Sequence, residues 1–155
     1  MPQDIILKPI GIVVSTRKIV ADDNWAQENS EIQLDPEQFQ SESLQGISSF
    51  SHIYVLFYMH LVKANAIHYT ARHPRGDINW PKVGIFAQRA KDRPNQLGLT
   101  VCELIKVDGL SIKVRGLDAI NQTPVIDIKP YFKQFGPKGE VIQPDWVDSL
   151  MKSYY

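Results

Sequence analysis

The sequence predicts a mainly β fold, a small antiparallel β-barrel with a short C-terminal helix. Six or seven short runs rich in β-branched and aromatic residues follow one another along the chain, separated by turns of Pro, Gly, Asp and Asn. Only the last twelve residues place apolar side chains at helical spacing. Strands and long helices do not alternate, which argues against a doubly wound parallel sheet. A length of 155 residues predicts one domain over residues 1–155.

Three strands are predicted in the N-terminal part of the chain. A β-branched run at 5–14 predicts the first, and a short run at 31–34 predicts the second. A longer run at 52–62, rich in β-branched and aromatic residues, predicts a buried central strand. Polar loops are predicted at 15–29 and 44–51, and residues 35–38 favour a single helical turn.

The C-terminal part predicts further strands, a hairpin and the helix. The Asp108-Gly109 pair between two alternating apolar runs is a strong hairpin signal. A Pro-Asp pair suits the first turn of a helix in which Trp146, Leu150 and Tyr154 share one face. The predicted bounds are a loop at 71–81, strands at 82–88, 97–107, 110–117 and 124–128, and a helix at 144–155.

Charge is balanced overall but uneven along the chain. Seventeen Lys and Arg residues match seventeen Asp and Glu residues, so no global field directs the protein to nucleic acid or membranes. Residues 72–95 nevertheless contain six basic side chains and two acidic ones, whereas residues 1–50 contain three basic and eight acidic ones. The central positive segment indicates a local anionic or electron-rich ligand, and the alternative is a solvated positive face.

Cysteine content and hydropathy predict a cytoplasmic protein that does not associate with membranes. Cys102 is the only cysteine, which excludes an internal disulfide and fits a reducing compartment. The longest uncharged apolar run, at 53–62, is about half a membrane span. Asp4 and Lys8 come too early for a signal peptide.

The sequence predicts no metal site and none of the common nucleotide-phosphate loops. His52 and His60 would share a face of the predicted strand, but roughly 26 Å apart at about 3.3 Å per residue. No HExxH, GxSxG, Walker or GxGxxG pattern is present. Cys102 lies among apolar residues in mid-strand, which favours a small core residue over a nucleophile.

Two polar, turn-rich segments interrupt the strands and carry most of the candidate functional residues. The first, at 84–100, reads GIFAQRAKDRPNQLGLT, and the second, at 117–131, reads LDAINQTPVIDIKPY. Taken alone, the second segment favours a turn capped by Asp118 and Asn121 and then an edge strand. Together with the HPRGD loop at 73–77, the two segments could converge at one end of a barrel and form a ligand site.

These two segments resemble motifs of the TsaA/TrmO family, S-adenosylmethionine-dependent methyltransferases of threonylcarbamoyladenosine in tRNA. The family reads roughly GVFATRSPxRPNPIGLS where this chain has GIFAQRAKDRPNQLGLT, and DxxDGTPVxDIKPY where it has DAINQTPVIDIKPY. FSHIYVLFYMH at 50–60 resembles a third family segment. The similarity covers residues 5 to about 137, with departures at Gln88, 90–91 and 121–122 and in the DDNW front loop at 22–25.

The resemblance implies a single TsaA-like β-barrel domain that works as a homodimer, with S-adenosylmethionine near the subunit interface and tRNA as partner. Some family members also carry an extra C-terminal domain that helps to hold tRNA, and at that place this sequence predicts only a short helix. The position-by-position transfer implies cofactor-binding roles for Asn24, Trp25, His60, Leu61, Arg89, Leu99, Leu117, Asp118, Ala119 and Ile120.

The same transfer places four motif residues around the methyl acceptor, and these are Arg93, Asn95, Lys129 and Tyr131. Arginines would bind the carboxylates of the cofactor and of the acceptor, with Asp92 pairing Arg89 and Arg93. Contacts with tRNA phosphates are expected from Arg72, Arg75, Lys82 and Lys91. The sequence identifies no general base.

Two other functions remain open at this point. One is a methyltransferase of the same fold that acts on a different nucleotide or on a small molecule. The other is a non-catalytic module that binds S-adenosylmethionine or RNA. Conversion of S-adenosylmethionine to S-adenosylhomocysteine with any RNA would separate the enzyme from the binding module.

Overall fold

Six antiparallel strands close into a barrel in the order β1-β2-β7-β6-β3-β8. The structure, a computed structural model, describes residues 4–155, so the first three residues of the predicted 1–155 domain lie outside it. The mainly β barrel predicted from the sequence is confirmed. The strands are β1 (Gly11–Ser15), β2 (Asn29–Leu34), β3 (His52–Tyr58), β4 (Ala71–Arg72), β5 (Val83–Gly84), β6 (Leu97–Asp108), β7 (Ser111–Arg115) and β8 (Pro124–Pro130).

Alternation of inward and outward residues, clearest in β3, fills the barrel with aliphatic and aromatic side chains. In β3, for example, Ile53, Val55 and Phe57 point inward and are at most 4% exposed, whereas the residues between them face outward. Cys102 points inward from β6, and burial raises the pKa of its thiol to about 12. A protonated buried thiol is a core residue and not a nucleophile at neutral pH.

The β6–β7 hairpin forms as predicted, with its turn displaced by one residue. Asp108 pairs with Ser111, so the two turn residues are Gly109 and Leu110. Gly109 has a φ of +59°, which glycine adopts without steric cost. A glycine at the first of two turn residues is typical of a type II′ hairpin, whose twist matches that of the strands.

Several predicted strands are shorter than the apolar runs that predicted them. The first begins at Gly11 and not at position 5, because Pro9 has no N–H and Ile5 and Ile6 are more than 80% exposed. The run at 52–62 leaves the sheet after Tyr58, where the next amide bonds to the Gln96 carbonyl instead. The run at 82–88 gives only the two-residue β5, followed by a 3₁₀ turn.

One short helix and a two-stranded ribbon flank the barrel. The helix α1 (Asp145–Met151) confirms the short C-terminal helix, but it ends four residues earlier than the predicted 144–155. The ribbon pairs β4 with β5 and so joins two parts of the positive segment. Within residues 4–155, the helices all fall short of the length and apolarity that a bilayer crossing requires.

The residues after α1, which we call the post-helix segment (152–155), attach to the front loop between β1 and β2. The Asn24 amide donates to the Ser153 carbonyl and the Trp25 amide donates to the Tyr154 carbonyl, both at 2.8 Å. These consecutive bonds fix the segment along the loop. Two parts of the chain more than a hundred residues apart therefore meet beside the barrel.

Candidate functional site

The candidate site lies where strand β6 extends beyond its neighbour β7. The pairing of β6 with β7 begins at Glu103 and Arg115, so within residues 4–155 the stretch 97–102 pairs with β3 alone. A strand edge without a partner presents free backbone carbonyls and amides. The Arg89 guanidinium donates to one of these carbonyls, that of Leu99. The exposed edge of β6 thus positions the arginine on which the sequence motif centres.

Arg89 and Leu99 lie together, as the resemblance implies. Arg89 is exposed, and within residues 4–155 the Leu99 carbonyl is the hydrogen-bond partner found for its side chain. A guanidinium has five N–H donors, so most of its capacity remains for a ligand. The Leu99 side chain faces outward and is 45% exposed, which gives the arginine an apolar neighbour.

Asp118 lies at the same edge and holds the second charge of the site. One carboxylate oxygen accepts from the Thr100 hydroxyl, and the other accepts from the Tyr154 hydroxyl. Thr100 is the residue after Leu99 and points into the barrel at 3% exposure. Strand β6 therefore brings Arg89 to one of its residues and Asp118 to the next.

The backbone around Asp118 is fixed by burial of its neighbours. Leu117 is fully buried and Ala119 is 2% exposed, whereas Asp118 and Ile120 are only partly buried. The buried Leu117 and Ala119 side chains anchor the backbone on both sides of Asp118, whose carboxylate is directed at the Thr100 and Tyr154 hydroxyls. The resemblance implies a cofactor-binding role for all four residues of this segment, and the structure places the segment against β6 through Thr100.

The front-loop residues Asn24 and Trp25 reach the site through the post-helix segment. Trp25 is 3% exposed, and the Arg17 guanidinium lies 3.9 Å from its ring centroid. Asn24 adopts a left-handed backbone conformation with a φ of +66°. Their amides hold the post-helix segment, whose Tyr154 hydroxyl contacts Asp118. The buried Trp25 therefore supports the site by holding the backbone of Tyr154. Asn24 is the more exposed residue of the two.

His60 and Leu61 lie in the loop after β3, beside the turn that leads into β6. The Gln96 side chain donates to the Val62 carbonyl at 2.9 Å, and the Gln96 carbonyl accepts from the Met59 amide at 2.8 Å. Gln96 is three residues before Leu99, so this loop borders the same strand. Among residues 4–155, no hydrogen bond joins His60 or Leu61 to the Asp118 group.

Asp92 pairs with Arg72 and not with Arg89 or Arg93, which corrects the sequence-based expectation. The Arg72 guanidinium and the Asp92 carboxylate lie 2.8 Å apart, and both side chains are less than 20% exposed. Arg93 instead donates to the Gln88 carbonyl at 2.9 Å. The order of residues along the chain suggested that Asp92 pairs with a neighbouring arginine. The ribbon β4–β5 instead holds Arg72, which is 20 positions away, beside the Asp92 carboxylate.

Arg75 is also committed to an ion pair. Its guanidinium makes two hydrogen bonds to the Asp23 carboxylate of the front loop, at 2.7 and 3.1 Å. Arg72 and Arg75 therefore each have a carboxylate partner within the chain, and their expected contacts with tRNA phosphates stay a prediction. Lys82 and Lys91 are exposed and, among residues 4–155, have no carboxylate within salt-bridge distance.

The four residues expected around the acceptor do not form one cluster within the chain. Arg93 and Asn95 precede β6, at the end of the barrel where Tyr58 pairs with Leu97. Tyr131 follows β8 at the other end, with its ring centroid 5.4 Å from that of Tyr54. About six residues of β3 separate the two ends, which corresponds to about 20 Å.

Lys129 belongs to the outer face of the barrel, where it meets the Leu99 edge. It is 71% exposed and lies 2.7 Å from the Asp127 carboxylate. A shallow cavity of about 280 Å³ on this face is lined by Tyr54, Leu56, Leu99, Asp127 and Lys129. The structure thus joins one cofactor-side residue, Leu99, with one acceptor-side residue, Lys129.

Sequence reasoning missed three residues of the site. Thr100 and Tyr154 bind Asp118, and Arg17 stacks on Trp25 while donating to the Asp23 carbonyl at 3.0 Å. The helical spacing marks Tyr154 only as an apolar-face residue. A polar group at the end of an apolar helix face is the one signal that could have indicated a buried hydrogen bond.

Metal ligands do not cluster in the part of the chain that the structure describes. No three His, Cys, Asp or Glu side chains between residues 4 and 155 come close enough together to hold a metal ion. The histidines make local contacts, such as that of the His73 ring with the Trp80 carbonyl at 2.7 Å. Metal independence remains a prediction for binding experiments.

Comparison with known proteins gives consistent similarities. The family model of the tRNA-methyltransferase O N-terminal domain matches residues 18–136. A probable S-adenosyl-L-methionine-binding protein of Methanothermobacter thermautotrophicus is 38% identical over 140 residues, which cover 88% of this chain and 96% of that protein. A tRNA (adenine(37)-N6)-methyltransferase of Escherichia coli is 36% identical over 107 residues, which cover 66% of this chain. A crystal structure of TrmO from Pseudomonas aeruginosa superposes with a TM-score of 0.71 at 26% identity over 90% of this chain.

The chain is shorter than some of these relatives. It spans 45% of the length of the Escherichia coli protein and 62% of the TrmO chain in the crystal structure. The match of the family model includes both polar segments and the edge of β6. At this edge Arg89 binds Leu99 and Asp118 binds Thr100. Because that match covers more than half of the sequence, the TsaA/TrmO resemblance is confirmed and this chain belongs to the tRNA-methyltransferase O N-terminal domain family.

Proposed function

We propose that this protein is an S-adenosylmethionine-dependent methyltransferase that methylates the N6 nitrogen of threonylcarbamoyladenosine in tRNA. The observation that carries the proposal is that Arg89 and Asp118 bind two successive residues of β6, Leu99 and Thr100. The similarity to a probable S-adenosyl-L-methionine-binding protein supports the proposed cofactor. The similarity to a tRNA (adenine(37)-N6)-methyltransferase supports tRNA as the proposed substrate. The proposal implies a cytoplasmic protein, since its substrate is cellular tRNA.

The residues at the edge of β6 fit S-adenosylmethionine chemically. The methionine part of this molecule carries one carboxylate and one ammonium group, and the site offers one guanidinium and one carboxylate. Arg89 would bind the carboxylate by charge-assisted hydrogen bonds. Asp118 would accept hydrogen bonds from an ammonium or hydroxyl group, and the exposed side chains of Leu61 and Leu99 would contact apolar parts.

When bound, S-adenosylmethionine supplies a methyl group on a positively charged sulfur. The task of this chain is then to hold donor and acceptor in line and to exclude water, which is where most of the catalytic effect arises in such displacements. Asp118 would favour positive charge at the site, whereas Arg89 must lie away from the sulfur because like charges repel. Arg89, Asp118 and the leucines beside them account for binding and orientation, and no general base is assigned.

The outer face of the barrel supports a homodimer as the working form. Leu99, Val101 and Ile105 project from β6 and are 38–45% exposed. Leu56 lies beside Leu99, since the two residues pair across β3 and β6. Tyr131 lies far from Arg93 within one chain, so a second copy could supply it to a shared acceptor site. A closed twofold interface on this face would cover the apolar side chains and complete the site.

The chain is expected to bind S-adenosylmethionine in the absence of metal. The proposed contacts are hydrogen bonds and apolar packing, none of which needs a cation. Titration calorimetry with and without a chelator measures this directly, with the same protein preparation in both runs. Equal affinities are expected, and loss of binding in the chelator would contradict metal independence.

The protein is expected to sediment as a dimer at micromolar concentration with S-adenosylmethionine present. Replacement of Val101 by Glu places a charge on the apolar outer face and should shift the equilibrium toward monomer. The matched control is Lys113→Glu on the exposed side of β7, which should leave the dimer intact. A wild-type monomer under these conditions would refute the dimer and the shared acceptor site.

The same-fold methyltransferase with another acceptor remains the second candidate. The observation in its favour is the ion pairing of Arg72 and Arg75, which leaves fewer free cations for phosphate than the sequence suggested. Methyl transfer from labelled S-adenosylmethionine to bulk tRNA, taken from cells that lack this protein, tests the two against each other. Incorporation into tRNA supports the main proposal, and turnover only with small acceptors supports the second.

A further inference from the structure

The post-helix segment enters the candidate site from outside the part of the chain that matches the family model. That match ends at residue 136, whereas Tyr154 reaches Asp118 with its hydroxyl. Two backbone hydrogen bonds from the front loop hold the segment in place. The Tyr154 amide also donates to the Met151 carbonyl at 2.9 Å, which ties the segment to α1. Three backbone hydrogen bonds therefore fix the chain at Tyr154 beside the site.

We propose that Tyr154 is a positioning residue of the cofactor site, which orients the Asp118 carboxylate for the ligand. This inference rests on the proposed binding of S-adenosylmethionine. Tyr154 acts through Asp118 and does not itself need to touch the ligand. The post-helix segment would then be a functional part of the site as well as a packing element.

The hydrogen bonds of Asp118 leave room for a ligand. An ionised carboxylate has two oxygens and about four lone-pair positions. Thr100 takes one position on the first oxygen, and Tyr154 takes one on the second. About two positions remain for ligand N–H or O–H donors. Because each oxygen is already held by one hydroxyl, the carboxylate cannot rotate freely and its remaining lone pairs have a fixed direction.

The surroundings of Tyr154 keep it a hydrogen-bond donor. Burial, and then the nearby Asp118 carboxylate, raise the pKa of its phenol above the usual value. The ring of Tyr155 packs edge-on against it, with the centroids 5.0 Å apart. A phenol that stays protonated at neutral pH donates to the carboxylate without adding charge. Tyr154 thus holds the Asp118 carboxylate by hydrogen bonding alone.

The first test removes only the hydroxyl. Tyr154→Phe is expected to raise the Kd for S-adenosylhomocysteine about tenfold in calorimetry, because a carboxylate that can rotate makes a weaker hydrogen bond to the ligand. In methyl transfer the KM for S-adenosylmethionine should rise while kcat at saturation stays near the wild-type value. Ser111→Ala is the matched control, because it removes a hydroxyl bonded at 2.5 Å to the Glu31 carboxylate on another side of the barrel.

The second test asks whether Tyr154 acts through Asp118. Asp118→Asn should weaken binding, and adding Tyr154→Phe to it should produce little further loss. Thermal unfolding and tyrosine NMR of the intact chain provide readouts that need no activity. On adding S-adenosylhomocysteine, the Tyr154 resonance should shift, whereas that of the exposed Tyr69 should not.

The outcomes separate the inference from the proposed function. A wild-type protein that does not bind S-adenosylmethionine or its product overturns the proposed function, and this inference with it. If the wild type binds but Tyr154→Phe binds equally well, the positioning role is wrong. Tighter binding by Tyr154→Phe would also overturn it, since it would mean that the phenol competes with the ligand. Additive losses in the double variant would refute action through Asp118.

Discussion

Transfer RNA that carries threonylcarbamoyladenosine is expected to be methylated roughly 30- to 1000-fold faster than the same tRNA without the modification. The modification adds a carboxylate, which the motif arginines could bind by charge-assisted hydrogen bonds. Loss of such a bond at a desolvated site costs about 2–4 kcal/mol, which gives the range of rates. The measurement is initial methyl incorporation into modified and unmodified transcripts of one tRNA.

The same methyl-incorporation assay, applied to arginine variants, identifies which arginine binds the carboxylate of the acceptor. Arg93 is partly buried and donates to the Gln88 carbonyl, so its remaining N–H groups point from a fixed position. Arg93→Ala should therefore reduce the preference for modified tRNA while the affinity for S-adenosylmethionine stays unchanged. Equal rates on modified and unmodified tRNA with the wild-type protein, or no transfer to either, would exclude threonylcarbamoyladenosine and favour another acceptor.

The barrel could be predicted from the sequence because its signals are local. Alternation of inward and outward residues in β3 and the Asp-Gly pair after β6 each depend on neighbours a few positions away. The strand ends were less predictable. Residues 59–62 continue an apolar run, but a hydrogen bond to Gln96, far along the chain, turns them away from the sheet.

The contacts of the site could not be predicted, because barrel closure and loop packing bring distant residues together. Tyr154 and Asp118 are 36 positions apart, and Arg75 and Asp23 are 52 apart. No periodicity relates such pairs. The segment of β6 that extends beyond β7 also depends on register, since both strands have similar apolar patterns and only their pairing shows which residues stay free.

Ion pairs in the folded chain neutralise part of the positive segment. Counted along the chain, residues 72–95 carry six cations against two anions. Asp92 neutralises Arg72 within the segment, and Asp23 of the front loop neutralises Arg75 from outside it. The remaining cations differ in role, because the arginines at 89 and 93 bind backbone carbonyls whereas the lysines at 82 and 91 are exposed. We therefore expect the two arginines to bind ligand carboxylates and the two lysines to contact phosphates.

Arg89→Ala is expected to weaken S-adenosylmethionine binding by about 1.5–3 kcal/mol, or roughly 10- to 150-fold in Kd. The bond from Arg89 to the Leu99 carbonyl holds the guanidinium at the open edge of β6, with its other N–H groups available for a carboxylate. Arg89→Lys should recover only part of the affinity, because an ammonium group lacks the planar arrangement of two donors. Calorimetry on the three proteins measures the series.

The control for this series is a second arginine on the barrel surface. Arg115 also makes a hydrogen bond, to the Glu103 carboxylate at 3.1 Å, but it lies where β6 and β7 are paired. Arg115→Ala removes the same side chain from a position without a free strand edge, so it should leave the Kd unchanged. If Arg89→Ala and Arg89→Lys both bind like the wild type, Arg89 is a solvated turn residue. The cofactor carboxylate would then have to be bound elsewhere, and the placement of Arg89 at the open edge of β6 would have no role in binding.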